Sequence, residues 1–171
     1  MKISKSKFVA GAQCLKRLYW QVQQPELAAE PDASGSAIME QGHEVGLLAH
    51  ELFLGGVKVD GSAGLEQAIR TTQELIANPE VPAIFEATFE NGDVLVRVDI
   101  LQRRRDNRWR LIEVKSTTDL KDYTWMTWRF CTALFLDPGW TWLPRASPTS
   151  IETMLLTAAP SMCDGSSRSE T

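Results

Sequence analysis

Between residues 83 and 116 apolar runs alternate with turn residues in a pattern that predicts three consecutive strands, at 83–89, 94–101 and 109–116. Asn91-Gly92 signals a hairpin between the first two, and Arg105-Asp106-Asn107 marks the turn before the third. Side chains two apart on a strand share a face. Leu95, Arg97, Asp99 and Leu101 therefore lie on one side of the middle strand, with Val94, Val96, Val98 and Ile100 on the other. On the third strand Trp109, Leu111, Glu113 and Lys115 share a face. Two acids and a lysine thus fall on faces that otherwise read as buried, and an aspartate in such company needs a partner.

Upstream the periodicity becomes helical. Ile38, Met39, Val45, Leu48 and Leu52 recur at helical spacing within 36–53, with Ser34 or Ser36 available as the cap. His43 lies on this helix with Gly42 before it and Gly46 three residues after. Helix-interior glycines cost about 1 kcal/mol each relative to alanine, so the pair implies close packing or access around the ring. His50 reads as a solvated histidine near the helix end. The remaining pattern predicts a helix over 4–21, a polar loop or lid over 25–35, a short strand at 57–59 and an amphipathic helix over 65–77. Helices ahead of a three-strand meander make an α/β or α+β layered domain, with the acids beside the His43 helix.

Composition narrows the class. The 171 residues, 43% hydrophobic and 23% charged, suffice for one core. No apolar run is long enough to span a bilayer and the start lacks the apolar stretch of a signal peptide, so no membrane partner and a cytoplasmic location are expected. Three widely spaced cysteines argue against a disulfide framework. A net charge of −4 and a pI near 5.3 weigh against a general nucleic-acid binder. Basic residues nevertheless cluster: Lys2, Lys5, Lys7, Lys16 and Arg17 at the start, and Arg103, Arg104, Arg105, Arg108 and Arg110 around the second turn. The arginine run reads equally as a solvated hairpin tip or as phosphate contacts.

An acid-x-lysine triplet alone is common on solvated strands. Here Glu113-Val114-Lys115 comes with the upstream acid Asp99 and with His43. Ser4-Lys5-Ser6, Cys14-Leu15-Lys16-Arg17-Leu18-Tyr19-Trp20, Gly42-His43-Glu44-Val45-Gly46, Arg97-Val98-Asp99-Ile100-Leu101 and Glu113-Val114-Lys115-Ser116 follow one another in that order. This ordered set resembles the RecB-like branch of the PD-(D/E)XK nucleases, nearest to an uncharacterised bacterial family related to nucleases of CRISPR spacer acquisition. The resemblance covers residues 1–123 and implies a restriction-endonuclease-like core, a central mixed sheet flanked by helices.

Carried over residue by residue, the resemblance implies that Asp99 and Glu113 are carboxylate metal ligands, His43 a third, and the Val114 carbonyl a fourth. Oxygen donors suit Mg, and one imidazole suits Mn equally. The catalytic set is then Asp99, Glu113 and Lys115, with Lys115 orienting a metal-activated water and stabilising charge on the phosphate. DNA is the implied substrate, with RNA also open, and Arg103, Arg104, Arg105 and Arg108 are the candidate nucleic-acid contacts. Glu86, on the strand at 83–89, reads either as a further site acid or as the cross-strand partner of an arginine. Some relatives hold an iron-sulfur cluster through one early and three late cysteines. Only Cys131 and Cys163 follow Cys14 here, so a cluster is not expected and Cys14 reads as a small packed hydrophobe.

After Tyr123 the likeness stops. The family continues with a helix and a further strand, and neither is recognisable in residues 124–171, which read as a divergent, poorly ordered tail. Thr124-Trp125-Met126-Thr127-Trp128, back-translated and read one base earlier, spells a residue such as His, then Leu-Asp-Asp and Val or Leu, the string expected after Lys121-Asp122-Tyr123. A frameshift near codon 124 accounts for that, and would leave Leu95, Trp109 or Leu111 without cover. Three readings follow: a metal-dependent DNA nuclease, active or inactivated by truncation; a non-catalytic nucleic-acid-binding remnant; and a structural domain in which Asp99, Glu113 and Lys115 form a buried polar cluster.

Overall fold

The computed structural model describes residues 2–28, 32–105, 108–116, 130 and 151–157, the last segment as backbone only. Its elements run β1 (Ile3–Ser4), α1 (Lys5–Gln13), α2 (Leu15–Gln23), a 3-10 turn (Pro25–Leu27), α3 (Ala33–Glu51), β2 (Val57–Lys58), α4 (Leu65–Ala77), β3 (Ala83–Asn91), β4 (Val94–Arg103), β5 (Trp109–Lys115) and β6 (Ile151–Thr157). The fold is mixed α+β. One curled sheet runs β2-β3-β4-β5-β6, with β1 beside the start of β4. β3, β4 and β5 form the expected antiparallel meander, while β1, β2 and β6 each pair in parallel with β4, β3 and β5.

The β3–β4 loop is Gly92-Asp93, one residue later than Asn91-Gly92 suggested, because Asn91 still pairs with Val94. Gly92 has φ +55°, a conformation glycine adopts without steric cost. The amino-terminal helix predicted as one piece is two, since Cys14 is extended (φ −165°) and breaks it. Cys14 is exposed, not packed, and the amide N–H groups of Arg17 and Lys16 hold its thiol below its ordinary range. The polar stretch predicted as a loop over 25–35 includes the 3-10 turn and the first turn of α3, whose cap is Asp32, accepting from the Gly35 N–H at 2.8 Å, rather than Ser34 or Ser36.

Two apolar clusters cover opposite faces of the sheet. Ala68 and Ile76 of α4 pack with Val59, Ile84, Ala87, Phe89, Val96, Val98, Leu101, Trp109 and Leu111. Ala49 of α3 packs with Ala83, Phe85, Ile100 and Ile112. Trp109 and Leu111 are therefore buried, contrary to the expectation that they lose cover. The helical stripe of α3 is not what faces the sheet: Ile38, Met39, Leu48 and Leu52 are exposed, and only Val45 and Ala49 are buried. Periodicity locates the helix but does not say how much of its length the sheet reaches.

Strict alternation fails at one point on each of two neighbouring strands. Ile84 packs with Ala87 and Phe89, and Leu101 packs with Val98 and Val96, although each set mixes odd and even positions. The switch falls at Glu86 and Asp99, the one facing position missing from an otherwise constant β3–β4 register. Glu86 has φ +58°, in the left-handed region, at a cost on the order of 1–3 kcal/mol for such a residue. The expected grouping of Val94, Val96 and Val98 with Ile100 is thus corrected, because the backbone reverses its pleat at Asp99.

Two threonines secure that kink. Beyond Phe85 the outer edge of β3 has no β2 partner, and the Thr88 N–H donates instead to Thr72 Oγ1 at 2.9 Å. Thr72 donates in turn to the Ala68 carbonyl at 2.8 Å, and the Thr88 hydroxyl donates to the Glu86 carbonyl at 3.0 Å. Both threonines are buried.

The segment Ile151–Thr157, within the tail expected to be poorly ordered, extends the sheet in parallel from Trp109↔Ile151 to Lys115↔Thr157. The remaining expectations for 117–129 and 131–150, the codon-shifted segment included, lie outside the described residues. Among the described residues no helix is long and apolar enough to cross a membrane.

Thr72→Val keeps the volume and removes the acceptor for the Thr88 N–H. Leaving that donor buried and unpaired should cost about 1–3 kcal/mol in urea unfolding, with Thr72→Ser retaining most of the stability.

Candidate active site

The site begins where two strands separate. β4 and β5 pair from Arg103↔Trp109 to Ile100↔Ile112, and the register then stops. At the next position Asp99 Oδ2 accepts the Val114 N–H at 2.8 Å, so a carboxylate takes the role of a ladder carbonyl. On the same edge of β4, nearer its start, β1 pairs with Val94 and Leu95, while β3 occupies the opposite edge throughout. Four residues of β4, from 96 to 99, lie between these two stretches of pairing.

Lys5, the first residue of α1, fills the opening from the β1 end. Its Nζ donates to Asp99 Oδ1 at 3.3 Å and to Glu113 Oε1 and Oε2 at 3.0 and 2.9 Å. Lys115 Nζ donates to Glu113 Oε1 at 2.6 Å, as expected for residues two apart on one face. Glu113 is 1% exposed. A carboxylate so placed costs several kcal/mol unless it is paired and hydrogen-bonded, on the order of magnitude of effective ion burial. Burial alone would raise its pKa; the Lys5 and Lys115 ammoniums overcome that and hold it below the usual glutamate range.

A cavity of about 240 Å³ opens beside this cluster. Asp99, Val114 and Lys115 line it from the sheet together with Glu86, while α3 contributes Gly42, His43, Gly46 and His50. Lys58, at the end of β2, completes one wall. His43, Asp99, Val114 and Lys115 therefore meet around one space, with Glu113 beneath it. Among the described residues no group of three or more His, Cys, Asp or Glu side chains is arranged to hold a metal ion. The structure brings together the two acids and the lysine, and His43 shares their cavity from α3.

The glycines beside His43 widen the cavity rather than permit tight packing. A side-chain carbon on Gly46 would meet nothing within 4 Å, and one on Gly42 would make only an ordinary contact with Ser116 Oγ at 3.9 Å. Glu86 lines the cavity, and its Oε2 lies 3.8 Å from Arg97 Nε. That pair is half exposed and weak. Burial, and then the Asp99 charge, push the Glu86 carboxyl above its ordinary range.

Two cavity residues, His50 and Lys58, and Lys5 beside them take roles that strand parity and motifs do not assign. His50 is not a solvated terminal residue: it stacks on Phe85, with centroids 3.9 Å apart and an interplanar angle of 10°. Burial, and then the Lys58 charge, lower its pKa. Its spacing of seven from His43 places both on one helical face, and that spacing is the available signal. Lys58 carries none, and Lys5, although part of the Ser4-Lys5-Ser6 string, carries no sign of this role, because strand pairing brings both to the acids.

The arginine run is positioned elsewhere. Arg103 donates to the carbonyls of Ile76, Val81 and Asn78 at 2.8, 3.1 and 3.0 Å and lies over the Trp109 ring at 4.2 Å. Its guanidinium ties the carboxyl end of α4 to the sheet. Arg104 closes the hairpin by donating its N–H to the Arg108 carbonyl at 2.8 Å, and Arg105 and Arg108 are exposed. At roughly 3.3 Å of rise per residue the tip lies about 15 Å along the strands from Asp99. Arg103, Arg104, Arg105 and Arg108 do not line the cavity.

No protein-family model matches the chain, and no curated protein matches it.

The lowered Glu113 pKa has a definite sign for stability. Its contribution is fully present above the unfolded value near 4.5 and is lost as pH falls through the lower folded value. In metal-free buffer Glu113→Gln should be less stable than wild type at pH 7 and should show a shallower loss of urea stability below pH 5. Parallel profiles for the two proteins would contradict the assignment.

Proposed function

We propose that the chain is a metal-dependent nuclease with a restriction-endonuclease-like core, hydrolysing DNA phosphodiester bonds in the cavity between α3 and the sheet. The observation that carries this reading is the Lys5 ammonium, held at 2.9–3.3 Å by three oxygens of Asp99 and Glu113. A positive centre stands between the acids, so their oxygens fit a cation. The Val114 carbonyl and the His43 imidazole supply further donors from the same cavity. The oxygen-rich set suits Mg or Mn. Either ion, when bound, would polarise a phosphate oxygen and lower the pKa of a coordinated water.

The remaining roles belong to the chain's own side chains. Hydrolysis joins a water oxygen to phosphorus as the bond to the leaving oxygen breaks, and negative charge grows on the phosphate oxygens. Lys115, anchored on Glu113 and lining the cavity, would orient the water and stabilise that charge. Lys58 offers a second ammonium from another wall. Asp99 is fixed by the Val114 N–H, so it need not reorganise during the reaction.

A second reading is favoured by one observation. Two ammoniums already neutralise Glu113, as a purely structural polar cluster between α1 and the sheet requires.

A cleavage assay with Mn or Mg on single- and double-stranded DNA, with an RNA arm, separates the two. The nuclease reading predicts metal-dependent cutting reduced by about 10²-fold or more in Glu113→Ala and Lys115→Ala, the scale of a lost transition-state contact. Nucleic-acid binding without cutting would favour the remnant, and neither activity would favour the structural domain.

A further inference from the structure

Lys5 belongs to no part of the expected catalytic set, yet it is the residue that touches both acids. We propose that Lys5 is the resident cation of the Asp99–Glu113 pair in the metal-free protein and is exchanged for the divalent ion on binding. This inference rests on the metal-site reading above and adds a device to it: the amino-terminal helix competes with metal for the same oxygens.

Geometry makes the exchange specific to Lys5. An ammonium has three donors, and those of Lys5 meet Asp99 Oδ1 and both oxygens of Glu113. Lys115 reaches Glu113 alone, from the same strand, and therefore keeps its place beside the cavity. The backbone of Lys5 is fixed, because β1 immediately before it pairs with Val94 and Leu95 and Ser4 caps α1. Its four-carbon stem is not, and the side chain is 24% exposed where Glu113 is 1%. The ammonium thus has a route to solvent that the carboxylate lacks.

Charge supplies the drive. Asp99 and Glu113 carry two negative charges, and Lys5 and Lys115 carry two positive ones, so the cluster is neutral as it stands. A divalent ion added to all four would leave two uncompensated positive charges beside a buried carboxylate. Departure of the Lys5 ammonium to water removes one of them and frees the oxygens the ion needs. Metal affinity is then the difference between two cations competing for one site, and removing Lys5 should raise it.

The experiment is a Mn titration followed by electron paramagnetic resonance, without nucleic acid, on wild type, Lys5→Met and the remote control Lys7→Met. Lys5→Met is expected to bind Mn at least tenfold more tightly than wild type, with Lys7→Met nearly unchanged. In parallel, wild-type protein is acylated with an amine-reactive ester with and without Mg and its lysines are quantified by mass spectrometry. Mg is expected to raise Lys5 labelling severalfold and to leave Lys7 unchanged. This second arm decides the matter if Lys5→Met does not fold. Equal Mn affinity in wild type and Lys5→Met, or Lys5 labelling that Mg leaves constant or lowers, overturns the exchange while leaving an Asp99-dependent metal site intact. Absence of Mn binding in every variant overturns both the exchange and the metal-site reading.

Discussion

One hydrogen bond, from the Val114 N–H to the Asp99 carboxylate, organises the region on which everything else depends. It satisfies a strand amide with a side chain where the β4–β5 ladder has ended, and so lets two paired strands separate without an orphaned donor. The separation leaves room for a lysine from the far end of the chain. Asp99 thereby has two jobs at once, one oxygen bonded to the backbone and the other to the Lys5 ammonium. An asparagine in its place keeps the first and weakens the second, which is why charge, rather than shape alone, matters at this position.

The kink at Glu86 belongs to the same device. An ordinary pleat would carry the side chains of 86 and 99 through uninterrupted alternation. The reversal at this pair instead lets apolar residues on either side of it enter the α4-facing core, while Glu86 and Asp99 turn to the cavity. Left-handed backbone at a glutamate is costly, and it is held by bonds from Thr88 and, behind it, Thr72 on α4. Stability in α4 is therefore coupled physically to the geometry of the acids. The electrostatics follow the same division: Glu113 is held ionised by two ammoniums, and Glu86 is held towards its neutral form by burial and by the Asp99 charge.

Local pattern carried far into this structure, and its failures share one cause. The helix at Leu65–Ala77, the short strand after α3 and the three-strand meander were all legible from periodicity and turn residues. So was the meeting of Glu113 and Lys115, two apart on one strand, whereas Asp99 joins them through a reversal of the pleat that parity does not foresee. What escaped were contacts between distant segments. β1 and β6 are parallel edge strands, whose short or late segments carry no hairpin signal. Lys5 arrives through β1, and Lys58 through β2, so no motif string assigns either a place at the acids. Arg103 illustrates the converse: a run of basic residues suggests a phosphate surface, yet carbonyls at the end of α4 claim the first of them. The exposed stripe of α3 makes the same point, since amphipathic spacing defines a face without naming its partner.

The central claim is that Asp99 and Glu113 converge on one cation-sized space, held by Lys5 until a divalent ion takes it. Crystals soaked in Mn, measured at the manganese absorption edge, test this most directly. The account predicts an anomalous peak between the two carboxylates with the Lys5 side chain turned away from them. A peak elsewhere, or none with Lys5 still bridging both acids, would contradict it.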